Sequence, residues 1–331
     1  MNARERVIAA LSFQPPDKVP FCFPRTTEAD ARLQAATGGD HPIFRENDSI
    51  AWVGVAGRET EVRPGHFRNL FGVVWNRTVD KDIGIVENRV LPEPSLAGLA
   101  LPDPDDETLY AGIDEASRKN AHRFREAAIG FSLYERAWTM RGMAELLMDM
   151  VDNPSFVHDL LDAICDWNLK VIANFVEHDI EGVHFGDDWG AQRGLQMGPD
   201  RWRTFLRPRL ARMYRAVRAA GKFVSIHSCG KVDELFDDLV DIGLNCFNPF
   251  QPEVMDVYRL HEEYFGRLAF HGGISTQRLM PYGSPDDVRK EVSRMIAMGR
   301  KGGLIIAPAH ALPRDVPAEN MLAMLDVLMN Q

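Results

Sequence analysis

The motif His227-Ser-Cys229-Gly places an imidazole and a thiol two residues apart. When residues at this spacing end a β-strand, both side chains point to the same face, so one metal ion can bind both. Zinc accepts this pair of ligands and needs a third, which His310 offers near the end of the chain. Such a zinc keeps a fourth position open for substrate or water. In the alternative interpretation, His227 is a hydrogen-bonded core histidine and Cys229 is a small buried residue.

Two acidic segments could take part in proton transfer. Asp187 and Asp188 are adjacent after a predicted strand, so at most one faces the site, and the alternation along that strand favours Asp187. The other carboxylate then caps the loop or pairs with an arginine such as Arg193, and a purely structural turn is the alternative. Glu135 could be a fourth metal ligand, a general acid or an ion-pair partner of Arg136. Glu135 and Asp187 are therefore the candidate catalytic residues.

Further polar residues follow the predicted strands and are expected to bind a small-molecule substrate: Arg25, Asn248, Gln251 and His271. His271 begins the sequence His-Gly-Gly, which allows backbone amides to approach an anion or a hydrogen-bond acceptor closely. Carboxylate, imidazole and thiol groups at the ends of several strands indicate an enzyme. A non-catalytic binding protein would not need this set of groups.

The elements that position these residues alternate between short apolar strands and longer helical patterns after residue 107. This alternation is typical of a parallel sheet. With an early strand at 17–25, at least seven strand–helix units are predicted, which favours an α/β fold with a closed (β/α)8 TIM barrel over an open doubly wound sheet. The later strands are predicted at 128–133, 182–185, 223–226, 244–247, 268–270 and 304–307. Helices are predicted at 2–13, 140–150, 154–178, 199–220, 231–241, 254–265, 284–301 and 317–329.

Residues 33–108 are predicted to form an irregular N-terminal insertion within a single domain that spans 1–331. Turn-forming residues such as Gly38 and Gly39 interrupt the segment, whereas Trp52, Phe71 and Trp75 provide apolar surface that it can bury. We expect this insertion to be a lid or a partner-binding surface.

Composition excludes several classes of protein. The chain has 38 Lys and Arg against 48 Asp and Glu, a formal net charge of −10, whereas a nucleic-acid-binding surface is basic. No apolar run approaches the ~20 residues of a membrane span, and the charged N-terminal segment lacks a signal-peptide pattern, so a cytoplasmic protein is expected. Four cysteines in 331 residues do not form a disulfide framework.

Several segments together carry a resemblance to a known family: Arg4-Glu-Arg-Val-Ile-Ala-Ala-Leu11, Pro15-Pro-Asp-Lys-Val-Pro20, Gly186-Asp-Asp-Trp-Gly190, His227-Ser-Cys-Gly230, Phe270-His-Gly-Gly-Ile-Ser275, and Pro308-Ala-His310 with Pro313-Arg-Asp-Val-Pro-Ala-Glu-Asn320. They resemble the uroporphyrinogen decarboxylase superfamily over nearly the full chain. The resemblance implies the uroporphyrinogen decarboxylase-like barrel, and one barrel can host several reactions.

The methyltransferase branch of this superfamily is similar in its His-x-Cys motif. There, a histidine, a cysteine and a distant second cysteine bind a zinc ion that activates a thiol, and the methyl group comes from a corrinoid protein. The resemblance implies that His227 and Cys229 are zinc ligands here, with His310 at the position of the distant cysteine. Two imidazoles and one thiolate leave more positive charge on zinc, which favours polarisation of a substrate oxygen such as that of a methyl ether.

A second function within the same resemblance is a lyase that decarboxylates a tetrapyrrole without metal, in which an aspartate such as Asp187 holds pyrrole N–H groups. The sequence Phe21-Cys-Phe-Pro-Arg25 stands where such decarboxylases are rich in arginine, so only Arg25 is left for the substrate carboxylates. A corrinoid would have to be supplied by a separate carrier protein, because the chain lacks the Asp-x-His-x-x-Gly motif of such carriers. A homodimer is expected by analogy.

Overall fold

The computed structural model describes residues 1–44, 49–55, 59–79, 81 and 84–331. Within these residues the strands are β1 Ile50–Val55, β2 Glu59–Arg63, β3 His66–Asn69, β4 Val74–Asn76, β5 Ile85–Val86, β6 Phe124–Ile129, β7 Gly182–Gly186, β8 Gly190–Ala191, β9 Gly194–Leu195, β10 Phe223–His227, β11 Cys246–Phe250, β12 Ala269–Ile274 and β13 Leu304–Pro308.

The helices begin or end at recognisable sequence signals, such as the capping box of Ser284 and Asp287, with Pro285 at the first position of its helix. They are α1 Ala3–Leu11, α2 Thr27–Thr37, α3 Ile113–Lys119, α4 Tyr134–Arg141, α5 Met143–Asp152, α6 Pro154–Val176, α7 Pro199–Arg201, α8 Arg207–Ala219, α9 Phe236–Asp241, α10 Val257–Glu263, α11 Leu279–Tyr282, α12 Pro285–Gly299 and α13 Ala318–Met329. None of these helices is both long and apolar enough to cross a membrane.

The central sheet contains seven parallel strands in the order β1-β6-β7-β10-β11-β12-β13. The segment 20–25 contacts both edges of this sheet: the Cys22 amide donates to the Ile306 carbonyl at 2.9 Å, and the Ser49 amide donates to the Phe21 carbonyl at 2.9 Å. It forms isolated bridges instead of a regular strand, because Pro20 and Pro24 have no N–H to donate. The predicted α/β fold around a parallel sheet is thus confirmed, with seven regular strands among the described residues. The closed (β/α)8 barrel stays a prediction.

The first strand of the parallel sheet, β1, lies inside the segment that the sequence predicts to be an irregular insertion. This part of the prediction is wrong: β1 pairs with β6, and β2 to β5 form a separate four-stranded antiparallel sheet. The expectation for 33–108 also covers 45–48, 56–58, 80, 82 and 83, which lie outside the described residues. A lid or partner-binding role for the rest of the segment stays a prediction, as does the single-domain organisation.

Several predicted boundaries also shift. The strand predicted at 128–133 is β6, four residues earlier, because the polar pair Arg125 and Glu126 lies inside the strand and finds its partners only in the folded chain. The helix predicted at 140–150 is two helices, α4 and α5, separated by Gly142, which has a φ of 104°.

Helix α1 covers the amino-terminal ends of the parallel strands. A capping box begins it, in which the Glu5 amide donates to Asn2 Oδ1 at 2.9 Å and the Asn2 amide donates to the Glu5 carboxylate at 2.8 Å. Its buried face packs against inward-facing residues of the sheet, in a cluster of Val7, Ala10, Leu11, Cys22, Ile50, Phe124, Cys246, Ala269, Ile305 and Ala307. This apolar cluster leaves the carboxyl ends of the strands as the accessible end of the sheet.

Leu11→Ala is expected to lower the free energy of unfolding by about 2–5 kcal/mol, because it leaves a cavity under a side chain that is 6% exposed. Denaturant unfolding monitored by circular dichroism measures this change. Met148→Ala, at a methionine of α5 that is 55% exposed, is the control and should change stability by less than about 0.5 kcal/mol. Equal effects of the two variants would contradict the packing role of α1.

Candidate metal centre

Three metal-ligating side chains meet at the carboxyl ends of β10 and β13. His227 is the last residue of β10, Cys229 follows two residues later, and His310 lies two residues after β13. One ligand atom from each lies within 4.8 Å of the other two. The His227 Nε2 to Cys229 Sγ distance is 3.2 Å, and the two imidazole rings lie 5.6 Å apart at 77°. The residues that the sequence pairs by spacing and by strand order are therefore brought together.

Asn248 sets the orientation of the His227 ring. The Asn248 Nδ2 donates to the His271 carbonyl at 3.0 Å, which fixes the amide so that Oδ1 faces Nδ1 of His227 at 2.6 Å. An amide oxygen only accepts, so Nδ1 of His227 carries the hydrogen and Nε2 presents a lone pair beside Cys229. This tautomer is the one required for a metal bond through Nε2.

Two loops pack closely to hold Cys229. Gly230 has a φ of 88°, and a Cβ built on it would lie 2.5 Å from the Gly190 carbonyl carbon, so a side chain cannot fit there. The Gly230 amide donates to Gln251 Oε1 at 3.1 Å, and the Cys229 amide donates to Asp188 Oδ1 at 2.7 Å. The sequence predicts that Gln251 binds substrate, but in the structure its side chain holds the loop that carries Cys229.

The roles expected for the two adjacent aspartates are reversed in the structure. Asp187 is fully buried and accepts four N–H groups: the backbone amides of Leu133, Tyr134 and Glu135 at 2.8–3.2 Å, and Trp189 Nε1 at 2.6 Å. It caps helix α4, and burial outweighs these bonds and raises the pKa of Asp187 to about 6. Asp188 faces the metal centre instead, with Oδ1 3.9 Å from His227 Nε2.

Glu135 lies in the first turn of α4, where the Asp188 amide donates to its carboxylate. Burial, followed by the negative charges of Asp188 and Asp187, raises the pKa of Glu135 well above its usual value. The ion pair with Arg136 that the sequence allows is not formed among the described residues. Arg136 donates to the Gly130 carbonyl at 3.1 Å and lies 3.8 Å from the Phe71 ring centre. The surroundings of Glu135 therefore favour its protonated form.

The Cys229 thiol also favours its protonated form. Burial and the negative charges of Asp188 and Glu135 raise its pKa. Its S–H can donate to the Nε2 of His227 at 3.2 Å. A cation at this position would replace that proton, because it binds the thiolate and the imidazole lone pair together.

A cavity of about 200 Å³ adjoins the three ligands. His271 lines it, and burial lowers the pKa of that imidazole to about 4, so the ring is neutral. Its Nε2 is buried and has no hydrogen-bond partner among the described residues, which leaves it available to a bound molecule. The other lining residues are Cys22, Pro24, Ile50, Trp52, His227, Asn248, Ala307, Pro308, Ala309, His310 and Ala311.

Residues 124–330 match the family model of uroporphyrinogen decarboxylase (URO-D). The chain belongs to the uroporphyrinogen decarboxylase family. A methyltransferase from Methanosarcina mazei has the same fold, with a TM-score of 0.74 and 18% sequence identity over 100% of this chain and 99% of that one. An endo-β-1,4-xylanase from Gloeophyllum trabeum has a TM-score of 0.44 at 12% identity over 73% of this chain and 84% of that one. No curated protein matches the sequence.

Within this family fold, Arg25 is not directed at the cavity. Its Nε donates to Asp30 at 2.5 Å and its Nη1 donates to the Phe23 carbonyl at 3.2 Å. The sequence predicts Arg25 as a substrate-binding residue, but the structure uses it to connect the segment after Pro24 to helix α2. The cavity wall thus has no arginine for a substrate carboxylate among the residues that line it.

Sequence reasoning missed Trp52 and the polar side chains inside the sheet. Trp52 comes from β1, which is hidden in the supposed insertion, and it is 50% exposed at the cavity. Glu126, His184 and Ser225 lie at inward positions of β6, β7 and β10. Polar residues at alternating positions of otherwise apolar strands could have indicated this group, because polar side chains are rarely buried without a hydrogen-bond partner.

Asp187 is expected to contribute more to the free energy of unfolding than Asp188. Asp187→Ala should lower the free energy of unfolding by about 2–4 kcal/mol, because it removes a helix cap and leaves several buried N–H groups unpaired. Asp188→Ala should cost less than about 1 kcal/mol, since the Asp188 side chain is 37% exposed. Urea unfolding of both variants measures the difference. A larger loss of stability in Asp188→Ala would reverse the assignment.

Proposed function

We propose that this protein is a zinc-dependent methyltransferase that transfers a methyl group between a small substrate and a corrinoid held by a separate protein. The observation that carries the proposal is the group of His227, Cys229 and His310, with ligand atoms within 4.8 Å of one another. The family fold, shared with a methyltransferase, is consistent with this assignment.

The donor set fits zinc better than the other common divalent metals. Two imidazoles and one thiolate are soft or borderline ligands, and among the described residues no cluster of oxygen ligands of the kind that magnesium and calcium need joins them. The Asn248 hydrogen bond that aims Nε2 of His227 is the outer support that metal-bound histidines usually have. Zinc bound by these residues would supply a Lewis acid toward a lone pair of the substrate.

The chain's own residues favour a methyl ether over a thiol as the small substrate. Asp188 and Glu135 lie near the ligands, and the raised pKa of Glu135 favours a carboxylic acid, which can donate a hydrogen bond to an ether oxygen of the substrate. His271 offers an unpaired Nε2 to hold that oxygen. A thiol would need no such donor, because its sulfur loses a proton when it accepts a methyl group.

The shape of the site is suited to a small substrate and a large partner. The cavity of about 200 Å³ accommodates a small group, and Ala307, Pro308 and Ala309 form an apolar wall that limits water. Trp52 and His310 are exposed at its rim, so a corrinoid on another protein can approach from outside. The metal-free lyase is less well supported, since Asp187 has its carboxylate occupied by α4 and Arg25 is paired with Asp30.

Purified protein is expected to contain about one zinc ion per chain, measured by inductively coupled plasma mass spectrometry. Cys229→Ala and His310→Ala should each lose it, because two remaining ligands hold zinc weakly. His122→Ala, at an exposed histidine outside the site, is the control and should keep it. Protein that stays metal-free after preparation without chelators and after zinc addition would overturn the proposal.

Asn248→Ala should weaken zinc binding about 10–100-fold while leaving the three ligands in place, because His227 loses the partner that selects its tautomer. Competition with a chromophoric chelator measures the affinity. Asn330→Ala, at an exposed residue after α13, is the matched control. An unchanged affinity in Asn248→Ala would show that Nε2 of His227 is not a ligand.

The reaction itself is tested by supplying methyl ethers or thiols with a reduced corrinoid or a methylated corrinoid, respectively. Methylation of the reduced corrinoid by a methyl ether is the expected result, followed by the change in the visible spectrum of the corrinoid. The Cys229→Ala variant should lose this activity by a factor of about 10² or more. Activity with thiols alone would contradict the assignment of an ether as the substrate.

A further inference from the structure

Three polar side chains form a hydrogen-bonded chain inside the parallel sheet, on the amino-terminal side of the cavity. Ser225 Oγ lies 2.7 Å from Glu126 Oε1 and 2.7 Å from His184 Nδ1. Glu126 is 3% exposed and Ser225 is 7% exposed. The sheet register places these residues together, since His184 of β7 pairs directly with Ser225 of β10. None of them belongs to the metal centre.

In the part of the chain that the structure describes, Glu126 has no positively charged hydrogen-bond partner that would explain its burial. The neighbouring Arg125 points to the other face of β6, where it pairs with Glu181 at 2.5 Å and Asp179 at 2.6 Å. The Ser225 hydroxyl is the hydrogen-bond partner of the Glu126 carboxyl inside the sheet. Burying a carboxyl group with a single neutral partner is costly, so the group needs an explanation other than stability.

The chain has two consistent hydrogen-bond directions. With Glu126 ionised, Ser225 donates to the carboxylate and His184 Nδ1–H donates to Ser225, so His184 Nε2 has a lone pair. With Glu126 protonated, its O–H donates to Ser225 and the Ser225 hydroxyl donates to Nδ1, so Nε2 carries the hydrogen. One proton on Glu126 therefore decides whether Nε2 of His184 is a donor or an acceptor.

The far end of this chain is next to the cavity. The His184 ring packs edge-on against Trp52, with ring centres 4.6 Å apart, and Trp52 lines the cavity. His184 is half-buried even though it lies inside the sheet. Ser225 binds Nδ1, so Nε2 is the ring nitrogen that remains for another partner.

We propose that Glu126, Ser225 and His184 form a relay that delivers one proton to an oxygen atom of a molecule bound in the cavity. The relay rests on the proposed function only in the identity of the acceptor, the oxygen released when a methyl ether loses its methyl group. In the transfer, the N–H bond at His184 Nε2 breaks and an O–H bond to the substrate forms. At the same time the Ser225 proton moves to Nδ1 and the Glu126 proton moves to Ser225, which leaves a carboxylate and a neutral imidazole.

The surroundings favour storage of the proton on Glu126 and not on the imidazole. Burial raises the pKa of Glu126 to about 7; the Ser225 hydrogen bond opposes this rise and the charge of Glu181 adds to it. Burial, with His227 and His271 nearby, lowers the pKa of His184 well below its usual value. The Cys246 thiol also faces Glu126 and stays protonated, because burial and Glu126 raise its pKa.

The relay is tested without the reaction by nitrogen NMR of histidine-labelled full-length protein, with the His184 signals assigned from His184→Gln. The two ring nitrogens of His184 are expected to exchange between the two neutral tautomers with a midpoint near pH 7. The carbonyl stretch of a protonated carboxylic acid should disappear with the same midpoint in infrared spectra. Glu126→Gln should abolish the band and the tautomer change, and Ser225→Ala should keep the band but abolish the tautomer change.

Ser293→Ala, at an exposed helical serine, is the control and should leave both signals unchanged. A His184 tautomer that does not respond to pH, or the appearance of a doubly protonated imidazole at that midpoint, would overturn the relay. Both outcomes are independent of whether the protein transfers methyl groups.

The same variants test the role of the relay once methyl transfer is measured. Wild-type kcat is expected to fall above about pH 7, because the ionised Glu126 has no proton to deliver. Glu126→Gln and Ser225→Ala should lower kcat by a factor of about 10² with little change in KM and should remove this limb of the pH profile. Zinc content should stay unchanged in both variants. A retained limb in both would overturn the proton-delivery role.

Discussion

The register of β10 between β7 and β11 is the constraint on which the site depends. It pairs His227 with Gly186 on one side and with Asn248 on the other, and it pairs Ser225 with His184 and Cys246. Because side chains alternate along a strand, a shift of one residue would turn these groups to the helical side of the sheet. The pairing of the strands therefore places the Asn248 side chain that selects the tautomer of His227, and it brings together the polar chain beneath it.

The candidate metal centre is held in part through the backbone of the loop that carries Cys229. Gly190 and Gly230 allow two loops to touch, and the amides of Cys229 and Gly230 are bound by Asp188 and Gln251. These contacts leave little freedom for the Cys229 thiol. A ligand held in this way loses little conformational entropy on metal binding, which is the physical advantage of a preformed site.

The two ends of the sheet differ in chemistry for a structural reason. Helix α1 covers the amino-terminal end with an apolar cluster, whereas loops that carry polar groups follow the carboxyl ends. Glu126 and His184 are polar exceptions in the interior between these ends. Their burial costs stability, and the cost is consistent with a role in the chemistry above them.

The sequence by itself determined the family, the parallel α/β architecture and the three side chains of the candidate metal centre. The His-x-Cys spacing was sufficient to pair His227 with Cys229, because residues two positions apart at a strand end point to the same face. The short apolar strands could be predicted from local patterns of apolar residues. Only the tertiary structure decided which aspartate faces the candidate metal centre, where β6 begins and that β1 belongs to the sheet. Asp187 is occupied by the amides of α4, and Arg125 and Glu126 are satisfied by residues more than fifty positions away. Such partners cannot be predicted from the local sequence, because these contacts form only when the strands are in register.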